Sequence, residues 1–541
     1  MKTMQTIIIL SLLVWGMGPA PRPCTSVLVG KDASVGGVPL ISYSCDGEFH
    51  PILRIIPASD HEPGAMAEVR GWRGVRGRIP QVLHTHKVLG LMNEHQLALG
   101  ETTFGGRPEL INPDGLFHYY PLMLFALQRS TTAREAIRVM AELVERHGYA
   151  SEGESISIAD HQEAWLMEIV GTGPGGKGAV WVAVRIPNRG VCATANMSRI
   201  HTFPLDDPER CLYSRNVISF AVGKGYYDPD SEQPFSFSRA YNPATEEQIR
   251  YSDRRIWSIF RRVAPSRNLS SLYSNGRGEE SPYPLWIEPD ARVCVRDVIA
   301  LHRDHYEGTE YDMTRDLAAG PFGSPDRYRP MKWEVDGVKY AWERPIATQQ
   351  AAFVFVTEPR PHLPAGFGGV VWYGIDNPYT NFFVPLYTSM DRLPRSYTTG
   401  SLHEYDRRSA WWTVNFVANF ANLRYSHMIE DIRTVQKDIE DMAFGGQEAI
   451  ENAAVQLMKS HGAAFAISFL TRYCIDSAEM NVRRWRDLGD RLIAKYNDGY
   501  IQNDAHRPQE VGYPESWLRR EVEQSGERRR IQTEKEGDRE L

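Results

Sequence analysis

The run Ala179-Val180-Trp181-Val182-Ala183-Val184-Arg185-Ile186 limits the fold more than any other stretch, because it is apolar on both faces of an extended chain. A strand of that kind lies inside a sheet, and such a sheet must be covered by helices. Three more strand candidates surround it, read as Ser155 to Ala159, Ala164 to Val170 and Val191 to Ala195. The loop leading into it, Gly171-Thr172-Gly173-Pro174-Gly175-Gly176-Lys177-Gly178, contains G-x-G-x-x-G spacing. A phosphate loop must open a helix, so that backbone N–H groups and the helix dipole face the anion. Gly178 leads straight into a strand instead and is not the Ser or Thr of a P-loop, so the glycine loop reads as a hairpin connection.

The same style of short apolar segments and turn residues opens the chain. Ser26 to Val29 and Val38 to Tyr43 are strand candidates divided by Gly36-Gly37, and Asp46-Gly47 follows as a turn. Leu89 to Met92 and Gln96 to Gly100 repeat the pattern around Asn93-Glu94-His95, and Ala352 to Thr357 and Gly369 to Tyr373 come later. A capping box at Thr132 to Glu135, apolar residues Ile137, Met140, Leu143 and Val144, and Gly148 predict a first helix. Further helices are expected at Glu246 to Val263 and Val295 to Tyr306. From Ala410 two long amphipathic segments, Trp411 to Met442 and Ala463 to Tyr496, have few breakers besides Gly445-Gly446. The expected organisation is therefore an α+β domain over 24–405, a helical region over 406–515 packed on it, and a charged, disordered tail over 516–541.

Residues 1–23 read as a secretion signal with a short pro-segment: Lys2 precedes the apolar run Thr6 to Val14, and Gly16, Gly18, Pro19 and Ala20 follow. Later apolar runs fall short of the roughly 20 helical residues that cross a bilayer, so no membrane anchor is expected in a mature, secreted or periplasmic protein. The net charge of −7 carries no basic footprint for nucleic acid. The helical region is suited either to capping the domain or to a homo-oligomer.

Six cysteines, Cys24, Cys45, Cys192, Cys211, Cys294 and Cys474, contain no C-x-x-C pair. His84-Thr85-His86 and His302-Arg303-Asp304-His305 lack H-E-x-x-H spacing and an obvious third ligand, so ordinary polar contacts are expected there and no metal or cofactor. Cys24 has two readings. In an oxidising compartment a cysteine near a mature N-terminus defaults to a disulfide partner. Alternatively, processing frees Cys24 as residue one, and its α-amine becomes the general base for its own thiol.

Cys24-Thr25-Ser26 followed by Val29-Gly30-Lys31-Asp32-Ala33-Ser34 resembles the processed start of the dipeptidase A-type cysteine N-terminal nucleophile hydrolases, relatives of the secernins. Matching stretches follow in order: Asn93 to Gly106, Gly178 to Ala183, Ala195 to Ile200, His305 to Asp312 and Gly320 to Gly323. The resemblance implies a four-layer αββα sandwich and metal-free hydrolysis of dipeptides. It also implies that Cys24 is the nucleophile, that Asp46 holds its amine, and that Asn196 brings its amide near the reacting carbonyl, with Arg199 in the same motif. Many relatives have Arg-Asn-Glu-Asp where this chain has Tyr43-Ser44-Cys45-Asp46, so an arginine that could orient the amine or bind a carboxylate is missing. Hydrolysis of N-acyl or other conjugated amides, and an unprocessed binding protein without activity, remain the alternatives.

Overall fold

In the computed structural model, residues 24–530 are described except 48, 72–73, 279–280, 365–366 and 504–507. The expected secretion signal, and the last eleven residues of the expected tail, 531–541, lie outside them. Two large antiparallel sheets organise the chain. The first runs in the order Trp286–Ile287, Val191–Thr194, Cys24–Val29, Leu40–Asp46, Ala351–Pro359, Gly369–Ile375, Phe383–Tyr387. The second runs Cys211–Tyr213, Val180–Ile186, Ala164–Val170, Gly153–Ala159, Ala98–Gly105, Met92–Asn93, Val88–Leu89, Ile55–Ile56. The strand that limits the fold is next to last in this sheet, and the glycine loop closes its hairpin with Ala164–Val170, whose last residue pairs Val170 with Val180.

The sheets face one another through Cys24–Val29 and Leu40–Asp46 on one side and Ala98–Gly105, Gly153–Ala159 and Ala164–Val170 on the other. Gly100 marks their closest approach: a Cβ there would stand 3.0 Å from the Cβ of Tyr43 and 3.7 Å from the Oγ of Ser26. Only a residue without a side chain lets the neighbouring Glu101 come this near the first sheet.

Helices cover the sheets where the apolar pattern demands it. Tyr119–Arg129 and Ala133–His147 lie on the second sheet. The latter starts and stops as its sequence predicts, with the Thr132 side chain accepting from the Glu135 N–H and Gly148 as its C-cap at φ 76°. Glu246–Val263 and Val295–His302 touch the first sheet, the second of these ending four residues before the expected Tyr306. Tyr306 has φ 66°, which no helix accommodates.

The C-terminal segments are helical as expected, Ala463–Lys495 nearly to its expected bounds, while the segment expected over Trp411 to Met442 is split in two and runs further. Ala410–Ala421 is followed by Tyr425–His461, which passes through Gly445-Gly446 without a break. Glycines cost a helix about 1 kcal/mol each relative to Ala, and packing outweighs this, since Met428, Ile432, Ile439 and Ala443 are buried on one stripe. Phe444 of this helix stacks on Trp372 of the first sheet at 3.8 Å, and Trp485 of Ala463–Lys495 meets Phe382 at 5.0 Å. The tail expected to be disordered from 516 instead begins as a helix, Glu515–Ser525, with no buried residue. Likewise Leu89 to Met92 is not one strand: Val88–Leu89 and Met92–Asn93 pair back on each other around Gly90 at φ 57°. No described helix is long and apolar enough to cross a membrane.

Replacing Gly100 with Val should destabilise the protein by about 1–3 kcal/mol through overpacking between the sheets, whereas Thr132→Ala should cost about 1 kcal/mol. Urea unfolding of the two variants checks the order.

Candidate active site

Cys24 begins a central strand, with Leu40–Asp46 on one side and Val191–Thr194 on the other. Alternation along the strand turns its side chain toward the second sheet and turns Thr25 toward the helices. The Sγ of Cys24 lies 3.9 Å from the Tyr43 hydroxyl and 3.8 Å from Glu101 Oε1, and Tyr43 donates a short hydrogen bond to the same Glu101 oxygen. Cys24 is directly opposite Cys45. No disulfide joins any of the six cysteines, although a disulfide partner was one reading of Cys24.

Burial pushes the Cys24 thiol well above its usual range, and Cys45, Glu101 and Asp46 push it further. Behind Glu101 lies a second buried carboxyl, Glu154, which accepts from the Thr103 hydroxyl at 2.8 Å. Burial and the neighbouring Glu101 raise Glu154 well above the carboxylate range, and burial raises Glu101 as well. The thiol thus faces a low-dielectric, acidic wall that opposes its ionisation.

The backbone side of Cys24 is the opposite in character. Its N–H donates to Asn196 Oδ1 at 2.8 Å. Asn196 sits at φ 63°, a left-handed conformation that asparagine tolerates, and its Nδ2 donates to Thr103 O at 2.7 Å. The side chain therefore presents its carbonyl to the Cys24 nitrogen, where the expectation had its amide near a reacting carbonyl. Arg255 completes this side: Nη1 donates to Cys24 O at 2.7 Å and Thr25 Oγ1 at 2.9 Å, while Nη2 donates to Ala195 O and Asn196 Oδ1, both at 2.9 Å. Arg255 is fully buried, and burial lowers it to about 10, so it remains a cation at neutral pH.

Asp46 lies one residue past the Cys24–Cys45 pair. Its Oδ2 accepts from Arg344 Nη2 at 2.6 Å, and its buried Oδ1 has no donor among the described residues. Burial raises its carboxyl to about 6 against the pull of Arg344 and Arg255. The Tyr43–Asp46 segment carries no arginine, but two arginines far along the chain, Arg255 and Arg344, contact Cys24 and Asp46. Sequence reasoning passed over both. Arg255 had one usable signal: it lies seven residues after Gln248 on one helix face, and Gln248 Nε2 donates to Asn196 O at 3.3 Å.

Arg199 is not brought to Cys24. Its guanidinium pairs with buried Asp253 at 3.0 Å and donates to Pro284 O at 2.6 Å, while its N–H donates to Glu168. Asp253 is two residues before Arg255, so Arg199 fastens the helix that carries the buried arginine. His302 and His305 make polar contacts as expected, with Ser42 Oγ at 2.8 Å and Asp326 at 3.1 Å. Two groups of described residues bring metal-ligating atoms within 4.8 Å of one another: Cys24, Cys45 and Glu101 in this site, and His84, His86 and Glu94 outside it.

The family model described as Peptidase family C69 matches residues 23–438. A probable dipeptidase of Salmonella dublin is 24% identical over 410 residues, covering 72% of this chain and 86% of that protein. A probable dipeptidase of Latilactobacillus sakei is 23% identical over 454 residues, 80% and 88% of the two chains. A dipeptidase of Bifidobacterium longum is 23% identical over 439 residues, 73% and 76%.

Arg199→Ala should cost about 3–5 kcal/mol, because it leaves the Asp253 charge buried and uncompensated. Denaturant unfolding measures the loss, and a cost below about 1 kcal/mol would show that the pair does not hold the helix.

Proposed function

Because the chain belongs to peptidase family C69, we propose that this peptide hydrolase is a secreted cysteine dipeptidase with the four-layer N-terminal nucleophile architecture, and that its nucleophile is Cys24. The observation that carries the reading is the convergence of Asn196 on the backbone nitrogen and of Arg255 on the backbone carbonyl of one cysteine, with the Asp46–Arg344 pair one residue past its strand partner Cys45. A structural cysteine needs no such arrangement around its amide.

In this reading removal of residues 1–23 frees the Cys24 amine. Asn196 Oδ1 and Asp46 Oδ1, which has no donor among the described residues, are the acceptors that hold it. The amine takes the proton of the thiol, whose acidic surroundings leave it protonated until a base is supplied. The thiolate attacks the scissile carbonyl of the dipeptide. The new ammonium returns its proton to the leaving amine, the C–N bond breaks, and an acyl-enzyme remains. Water, deprotonated by the same amine, then releases the first amino acid and regenerates the thiol.

The processed enzyme should hydrolyse unblocked dipeptides and leave N-acyl amino acids intact. Cys24→Ala should remove that activity without altering the fold. A preference for N-acyl substrates in a chromatographic assay would overturn the substrate assignment, and activity of Cys24→Ala would overturn the nucleophile. Asp46 must be ionised to hold the amine, so kcat/KM should fall about tenfold per pH unit below about pH 6. Asp46→Asn should remove that limb of the profile along with most of the rate.

A further inference from the structure

We propose that His84, His86 and Glu94 form a binding site for a divalent transition-metal ion, zinc being the natural occupant, on the outer rim of the second sheet and apart from Cys24. The sequence alone offered two histidines and no third ligand; the fold supplies it. Thr85 is buried, so His84 and His86, on either side of it in an extended segment, project together toward the outside. The hairpin that follows turns the chain back over them. Val88 pairs with Asn93 and Leu89 with Met92. One step outward, Lys87 and Glu94 close the hairpin through Glu94 N–H to Lys87 O at 3.0 Å and Lys87 N–H to Glu94 Oε1 at 2.7 Å. A further step brings His95 across from His86. One ligating atom each from His84, His86 and Glu94 then falls within 4.8 Å of the other two.

The hydrogen bonds around the cluster favour a metal over a chance gathering of imidazoles. His84 is held through Nδ1 by Asp60 Oδ1 at 2.7 Å, from the strand directly opposite. His86 is held through Nδ1 by His95 Nε2 at 3.2 Å. Both rings therefore commit the same nitrogen to a neighbour and leave Nε2 for the ion, the pattern in which outer partners fix the tautomer and aim the ring. Glu94 is likewise oriented by the Lys87 N–H on Oε1. Two imidazole nitrogens and one carboxylate oxygen, with a water in the fourth position, make a tetrahedral zinc site. Such borderline donors bind Zn²⁺, Co²⁺ or Ni²⁺ in preference to Ca²⁺ or Mg²⁺, which require oxygen ligands. The ion would tie the His84–His86 segment to the hairpin that leads into the strand carrying Glu101.

The test is equilibrium dialysis of the chelator-stripped, mature protein against Zn²⁺. It is run in parallel on Cys24→Ala, because Cys24, Cys45 and Glu101 are the competing set of ligands. One ion per chain should bind to both proteins. His84→Ala and His86→Ala should each weaken binding at least tenfold, and Asp60→Asn about tenfold through ring orientation. Circular dichroism of each variant checks that it stays folded. With Co²⁺ the visible spectrum should show tetrahedral nitrogen and oxygen ligation without a thiolate charge-transfer band. Absence of binding, binding indifferent to His84 and His86, or binding lost in Cys24→Ala would each overturn the site.

Discussion

A buried guanidinium holds this site together. Arg255 reaches from the helix Glu246–Val263 into the first sheet and spends its donors on Cys24 O, Thr25 Oγ1, Ala195 O and Asn196 Oδ1. These acceptors come from the strand Cys24–Val29 and from the loop that follows its neighbour Val191–Thr194, so the charge fixes their relative positions. A buried cation is costly unless its hydrogen bonds are made and its charge is balanced. Asp46 lies close enough to work against the desolvation of Arg255, and Arg255 and Arg344 in turn restrain the rise of Asp46. The helix is fastened from outside by Arg199 and Asp253, and its start is tied to the Asn196 loop by Gln248. Geometry at one backbone nitrogen therefore depends on a lattice of buried charges spread over some three hundred residues of sequence.

The two sides of Cys24 are electrostatically unlike. Toward the second sheet are Tyr43 and the buried carboxyls Glu101 and Glu154, which oppose a thiolate. Toward the first sheet's end are Asn196, Asp46 and two arginines, which suit an amine held by acceptors within a cationic frame. A thiol so placed stays dormant until a base appears beside it, and in the proposed mechanism the freed amine is that base. The closeness of the acidic wall depends on Gly100, which lets the second sheet approach Tyr43.

Where local pattern decides structure, the sequence was legible. The helix Glu246–Val263 and the strand Ala164–Val170 have the bounds that their periodicity predicts, and Thr132 and Gly148 delimit a helix by capping chemistry. The glycine loop was recognisable as a hairpin because a strand follows it. Where tertiary packing overrides propensity, the reading failed: Gly445-Gly446 are carried inside a helix by its buried stripe. The charged segment after 515 is also helical, although none of its residues is buried. Cys24, Asp46 and Asn196 were legible because each lies in a short motif, and they do meet in space. Arg199 shares the motif of Asn196 but points to the opposite side, toward Asp253. Arg255 and Arg344 were invisible because a buried arginine in a polar helix or loop looks like a solvated one until the fold shows what surrounds it. The third ligand beside His84 and His86 was missed for a related reason: only the register of a tight hairpin returns Glu94 to them.

The central claim is that Cys24 supplies both nucleophile and base, which requires a free α-amine on that residue. The most direct test is N-terminal sequencing with intact-mass measurement on a preparation that hydrolyses dipeptides. The account predicts a mature chain that begins at Cys24, with active-site thiol labelling on that same residue. An active chain that begins upstream of Cys24 would contradict it.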